Sequence, residues 1–261
     1  MTWCQVLLLT CLLASASAAA AQPALAPTGV LRAVYLATNP AHAVKDAATG
    51  EPRGTVVDVT RELGRHLGVT VALTALQTPQ NVIDAVSRRD ADIGFVAFNP
   101  ERAGPVEFSE PFMHVQQTLV VRVDSSIGSV ADIDRPNQKI GAGRGDSIAL
   151  YLARNLKQAR LVEMAPGDAT EAAKAVLAGS IDAFGANRQR LTDTVRGLSG
   201  LRLLPDDLYG VEQTIVVAKG QTEALTAVNR FIDDIRRTGF LRSAIEKSGI
   251  IGVSVAPPRS K

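Results

Sequence analysis

A chain of 261 residues is long enough to bury one large core, or two smaller ones, without disulfide or metal staples. Its 28 Lys and Arg against 26 Asp and Glu give a formal charge of only +2, with no basic run and no interleaving of aromatic and basic residues. That balance excludes a nucleic-acid surface as the main function.

Residues 1–21 read as a signal peptide: an apolar run followed by small residues that offer A-x-A cleavage sites near Ala18 to Ala21. The run over 6–21 is shorter than the ~20 residues a spanning helix needs, which favours removal over anchoring and implies export of the mature protein. Its leading residues lack Lys and Arg, a departure from the usual pattern. Both cysteines, Cys4 and Cys11, lie in this segment, so the mature chain is expected to hold no disulfide, metal thiolate or cysteine nucleophile. Thr10 before Cys11 argues against lipidation.

After a Pro/Ala linker, residues 30–37 read as a strand. Val56, Val59, Leu63 and Leu67 then recur at helical spacing, and Gly68 sits where that helix stops. A strand at 69–75, a short helix around Val82, Ile83 and Val86, and a buried strand at 91–97 follow. The series continues with a strand at 118–123, another at 139–142, a helix at 147–156, a strand at 160–164, a helix at 169–177 and a strand at 181–185. A strand at 213–218, an amphipathic helix at 222–237 and a last short helix carrying Leu241 and Ile245 close the chain. Alternating strands and helices predict parallel sheets with covered faces, in two α/β units of similar size.

GTVVDVTRELGRHLGVTVAL (54–73), DAVSRRDADIGFVAFNPERAGPVEFSEPF (84–112), KIGAGRGDS (139–147), GSIDAFGANR (179–188) and FIDDIRRTGFLRSAIEKSG (231–249) occur in that order. Together they resemble the bacterial extracellular solute-binding proteins of family 3, over nearly the whole mature chain. The resemblance implies an α/β, two-lobed, periplasmic-binding-protein-like fold of type II, each lobe a sheet flanked by helices and joined by a two-strand hinge. One lobe would comprise 28–115 plus 211–250 and the other 116–210, with 251–261 a tail. It further implies a small-molecule ligand between the lobes, hinge closure on binding, and an ABC-transporter membrane permease as partner. No cofactor, metal or catalytic residue is expected, and nothing in the sequence marks an oligomerising stripe, so a monomer is expected.

The resemblance assigns Arg102 of NPERAG to a ligand carboxylate, which a planar guanidinium can hold in a bidentate pair. The alternative is a loop arginine paired at the surface with Glu101 or Glu107. In GAGRGDS, Ser147 stands for a family threonine that contacts the carboxylate at a helix start, with Arg144 and Asp146 beside it. The same residues also suit a tight turn with Asp146 or Ser147 as N-cap. Asn187 stands where amino-acid binders of the family carry the Asp that pairs with the α-ammonium. The family's aromatic near Asn39 and the hydroxyl residues near Phe95–Phe98 are likewise missing. Glu212 is then a candidate replacement charge, or else a solvated strand-edge carboxylate. Asn39, Asn99 and Gln117 are candidate neutral partners, and Phe98, Phe112 and Phe184 candidate cleft walls. His42, His66 and His114 have no carboxylate at a catalytic spacing. A dehydratase-like enzyme on the same fold and a ligand-sensing partner of a membrane receptor are the competing functions.

Overall fold

The structure is a computed structural model that describes residues 24–165 and 169–259. The expected signal peptide lies outside the described residues. The elements run, in chain order, β1 (Val30–Leu36), a small hairpin of β2 (Val44–Lys45) and β3 (Pro52–Arg53), α1 (Thr55–Leu67), β4 (Thr70–Leu76), α2 (Pro79–Ser87), β5 (Ile93–Ala97), β6 (Val106–Phe108) and β7 (Met113–Arg122). There follow β8 (Lys139–Gly143), α3 (Ser147–Asn155), β9 (Arg160–Met164), α4 (Ala169–Leu177), β10 (Ala183–Asn187), α5 (Arg188–Arg196), β11 (Leu201–Leu203), β12 (Tyr209–Ala218), α6 (Thr222–Arg237), α7 (Phe240–Ser248) and β13 (Val253–Val255).

One continuous sheet carries eleven of these strands, eight of them in the order β4-β1-β5-β12-β7-β10-β8-β9, with β11 and β13 paired to β7 and β6 to β12. Its two ends are parallel (β4-β1-β5 and β10-β8-β9), and the antiparallel pair β7–β12 joins them. Each end has its own core. In the first lobe Val56, Val59 and Leu63 of α1 and Val228, Ile232 and Ile235 of α6 cover one face, beside Leu31, Ile93 and Ile215. Val82, Ile83 and Val86 of α2 cover the other, against Val34, Val96 and Val216. In the second lobe Ile148 and Leu152 of α3 pack with Leu119 and Ile140, while α4 and α5 pack beneath Phe184 and Ala186. Helix α1 stops as its sequence indicates, at Gly68 with φ 68°, a backbone state glycine adopts without steric cost.

Three differences from the sequence reading matter for the site. The strands expected to begin at 118 and 213 begin at Met113 and Tyr209, because the two crossings pair with each other from Tyr209↔Gln117 to Gln213↔Met113. Helix α5 carries only two well-spaced apolar residues, Leu191 and Val195, too few to show a periodic face. The tail contains β13, which pairs Val253–Val255 with Val115–Met113 on the side of β7 away from β12. The crossing is thus three strands wide.

Candidate functional site

A cleft with about 500 Å3 of empty space, its mouth included, lies between the lobes at the carboxyl ends of β1, β5 and β10. This is where parallel α/β sheets place ligands, because the connections that leave the strand ends diverge there. The starts of α2 and α3 reach it at Pro79, Ser147 and Ile148, and the start of α5 reaches it at its N-cap Asn187. Unpaired N–H groups and aligned peptide dipoles make such ends partly positive. The cap of α3 makes no side-chain bond, so its first N–H groups have no capping acceptor from Asp146.

Six of the sequence candidates line this cleft: Asn39, Arg102, Gln117, Asp146, Ser147 and Asn187. Arg102 follows β5 in a 3-10 turn, and its guanidinium is half-buried. It donates from Nη1 to the Ala97 carbonyl (3.1 Å) and from Nη2 across the cleft to the Gly145 carbonyl (2.6 Å). Burial pushes its pKa below the usual arginine range, against the pull of Asp146. Five guanidinium N–H groups less two leave three without a protein acceptor among the described residues. The surface pairing with Glu101 or Glu107 is absent: Glu101 lies near Arg154 and Glu107 near Lys219. Burial raises the pKa of the Tyr209 phenol to about 12, a shift that the neighbouring Ser147 hydroxyl opposes. Asn187 caps α5, accepting from the Arg190 N–H (2.8 Å), and its Nδ2 donates across the cleft to Asn39 Oδ1 (3.1 Å).

Sequence reasoning missed three polar groups of the wall, Thr38, Arg190 and Gln213. Arg190, one turn into α5, faces Asp146 at 3.6 Å, and burial raises the Asp146 pKa while both arginines oppose the shift. Its signal was hidden because α5 was not recognised as a helix. Gln213 lies on the wall with its Oε1 2.8 Å from His42 Nε2. His42 is fully buried, and no local pattern ties it to a residue 171 positions away.

The remaining candidates are elsewhere. The Glu212 carboxylate accepts from Arg259 Nη2 (2.6 Å) and Nε (3.1 Å) and does not line the cleft; strand alternation turns it away from Gln213. Arg144 faces Glu163 at 3.5 Å beside an adjoining groove that shares Pro79 and Arg102 with the cleft but is otherwise lined by other residues. Asn99 is buried and accepts from the Glu101 N–H (2.9 Å), which holds the turn bearing Arg102. Phe112 stacks edge-on with Phe95 in the first core, and Phe184 lies in the second, so neither walls the cleft. Phe98 packs against Phe108 and under the Arg259 guanidinium. Among the described residues no cluster of His, Cys, Asp and Glu is arranged to hold a metal, and no helix is long and apolar enough to cross a membrane.

A search of curated proteins finds no match. Solved structures do match. An amino acid ABC transporter substrate-binding protein from Streptococcus pneumoniae bound to L-arginine is 20% identical, with a TM-score of 0.71 over 86% of this chain and 96% of that one. An ancestral amino-acid-binding protein, a precursor of cyclohexadienyl dehydratase, is 24% identical, with a TM-score of 0.67 over 84% and 94%. A histidine kinase sensor domain similar to periplasmic binding proteins is 19% identical, with a TM-score of 0.71 over 87% and 98%. Likeness at this identity establishes the two-lobed, type II periplasmic-binding-protein fold. The family model of the bacterial extracellular solute-binding proteins, family 3, matches residues 31–249, from β1 to the end of α7, and the chain therefore belongs to that family.

Proposed function

We propose that this protein binds a small carboxylate-containing solute in the interlobe cleft, outside the cytoplasm, and presents it to the membrane permease of an ABC importer. The observation that carries this reading is Arg102, a half-buried guanidinium whose protein partners are two carbonyls, set among helix starts that favour an anion. We read a binder rather than a catalyst because Asp146, the carboxylate on the wall, is tied to Arg190 and is poorly placed to trade protons. Membership of a solute-binding family supports the same reading.

The test is a thermal-shift screen of refolded protein against carboxylates, amines and sulfonates, repeated on Arg102→Ala. A ligand at 100 times its Kd adds about 2.7 kcal/mol of stability, a shift that is easily read. Removing one partner of a buried charged pair weakens binding by about 2 kcal/mol or more, so carboxylate hits should vanish in the variant. Hits that survive unchanged in Arg102→Ala would refute the assignment of Arg102.

A further inference from the structure

The residues that follow α7 lie beyond those the family model matches, and they run along the side of β7 away from β12. One end of this segment is held by the first lobe. Ile250, Val253 and Val255 pack on its core, the Ala256 N–H donates to the Phe112 carbonyl (3.1 Å), and Arg236 Nε of α6 donates to the Ala256 carbonyl (3.0 Å).

The other end meets the second lobe. The Ile251 N–H donates to Gln189 Oε1 of α5 (2.9 Å), and the Gly252 carbonyl accepts from the Gln116 N–H (2.8 Å). A Cβ on Gly252 would meet Arg188 Cβ at 3.1 Å, so the segment passes close over the start of α5. Gln189 is 8% exposed, and its amide is committed at both ends, since Nε2 donates to both Asp193 oxygens (2.9 Å each). The Ile251 side chain is itself exposed, so its backbone, and not apolar packing, makes this contact.

The same turn of α5 builds the cleft. Asn187 and Arg190 line it, whereas Gln189 does not. Positions three apart share a helix face that the position between them leaves. One turn therefore has the cleft on one side and the segment 250–256 on the other.

Resting on the reading that the cleft closes on a carboxylate, we infer that residues 250–256 are a strap that favours closure from outside the cleft, with Gln189 a positioning residue for ligand affinity. Hinge opening carries α5 with the second lobe, while Val253 and Ala256 stay with the first. The Ile251–Gln189 bond has one member on each side of that motion and is stretched when the lobes part. Apparent affinity scales with the closed fraction, so a contact that favours closure strengthens binding by the same factor. The Arg259–Glu212 pair joins the chain end to the crossing alone and does not enter this balance.

The test compares wild type with Gln189→Met, Gly252→Ala and Asp193→Ala, with folding verified by Tm. The first keeps the bulk of the side chain and removes the acceptor, the second displaces the strap without altering α5, and the third removes the other partner of Gln189 and leaves the strap in place. Each protein is titrated calorimetrically with succinate, 2-oxoglutarate, L-glutamate, L-glutamine and L-arginine, and its radius of gyration is measured by small-angle scattering without ligand. The expected result is about a threefold to tenfold loss of affinity in Gln189→Met and Gly252→Ala, the scale of one hydrogen bond. Both should also show a larger ligand-free radius, with Asp193→Ala within about twofold of wild type. Affinities and radii that match wild type in the first two variants overturn the inference and leave the carboxylate reading standing. An equal loss in Asp193→Ala also overturns it, because Gln189 is then a brace of α5 alone. If wild type binds none of the five acids, the carboxylate reading fails and the ligand-free radii decide the inference.

Discussion

His42 shows how much a single buried residue can do without touching a ligand. The ring is fully enclosed, and desolvation lowers its pKa from 6.5 to about 4, opposed in part by the bond to Gln213. Between those two values the unfolded chain binds a proton that the folded chain refuses. The contribution of His42 to stability is therefore constant above pH 6.5, falls as the pH drops from 6.5 toward 4, and loses about 3 kcal/mol in total before the folded state also protonates. Urea midpoints at pH 7 and pH 4.5 should show the loss in wild type and a flatter response in His42→Gln. Glu212 makes the opposite point. Its charge serves Arg259, and both side chains are about a third exposed (32%), so Glu212→Gln should cost at most about 1 kcal/mol of stability. Ligand affinity should stay within about twofold of wild type by calorimetry, since removing a partly exposed pair remote from the ligand moves little energy. A large loss of affinity would return Glu212 to the cleft.

At the scale of elements, the positions of helix starts decide whether the cleft is polar in the right places. Helix α2 sits close on β5 because Gly94 has no side chain: a Cβ there would meet Val82 Cγ1 at 2.7 Å and Val86 Cγ2 at 2.9 Å. Valine is stiff in a helix and cannot swing aside. Gly94→Ala should therefore cost about 1–3 kcal/mol by overpacking, readable as a lowered Tm, and should weaken binding by moving Pro79 and the start of α2. The amphipathic helices α1 and α6 were legible in sequence because each puts valines, leucines or isoleucines on one face at 3.6-residue spacing. Helix α5 was not, because a cap at Asn187 and two apolar residues make a helix only when the second core supplies the rest.

The whole molecule is a pair of lobes, and under the proposed function their contact is part of binding. Among the described residues, the bonds from Arg102 Nη2 to the Gly145 carbonyl and from Asn187 Nδ2 to Asn39 Oδ1 and the Arg154–Glu101 ion pair at 3.7 Å join the lobes, and a ligand between them would add contacts that exist only when they are closed. Affinity and closure are then one free energy. Small-angle scattering should show the radius of gyration falling when the tightest ligand of the screen saturates wild-type protein, with no such change in Arg102→Ala. The third strand at the crossing bears on this hinge: the Gln116 N–H donates to the Gly252 carbonyl, and the Ile251 N–H to Gln189 of α5. The segment taken for a tail thus ties the crossing to the second lobe. By itself the sequence determined the order and type of most elements, and through NPERAG and GAGRGDS it singled out Arg102, Asp146 and Ser147, which the fold brings to one cleft wall. Those are local properties, set by spacing and by the backbone states of a few residues. Only the tertiary structure decided that Glu212 faces Arg259, that Phe112 and Phe184 are core, and that Gln213 and Asn187 spend their oxygens inside the protein. A side chain's direction is settled by the partner that packs against it, and here those partners come from distant parts of the chain.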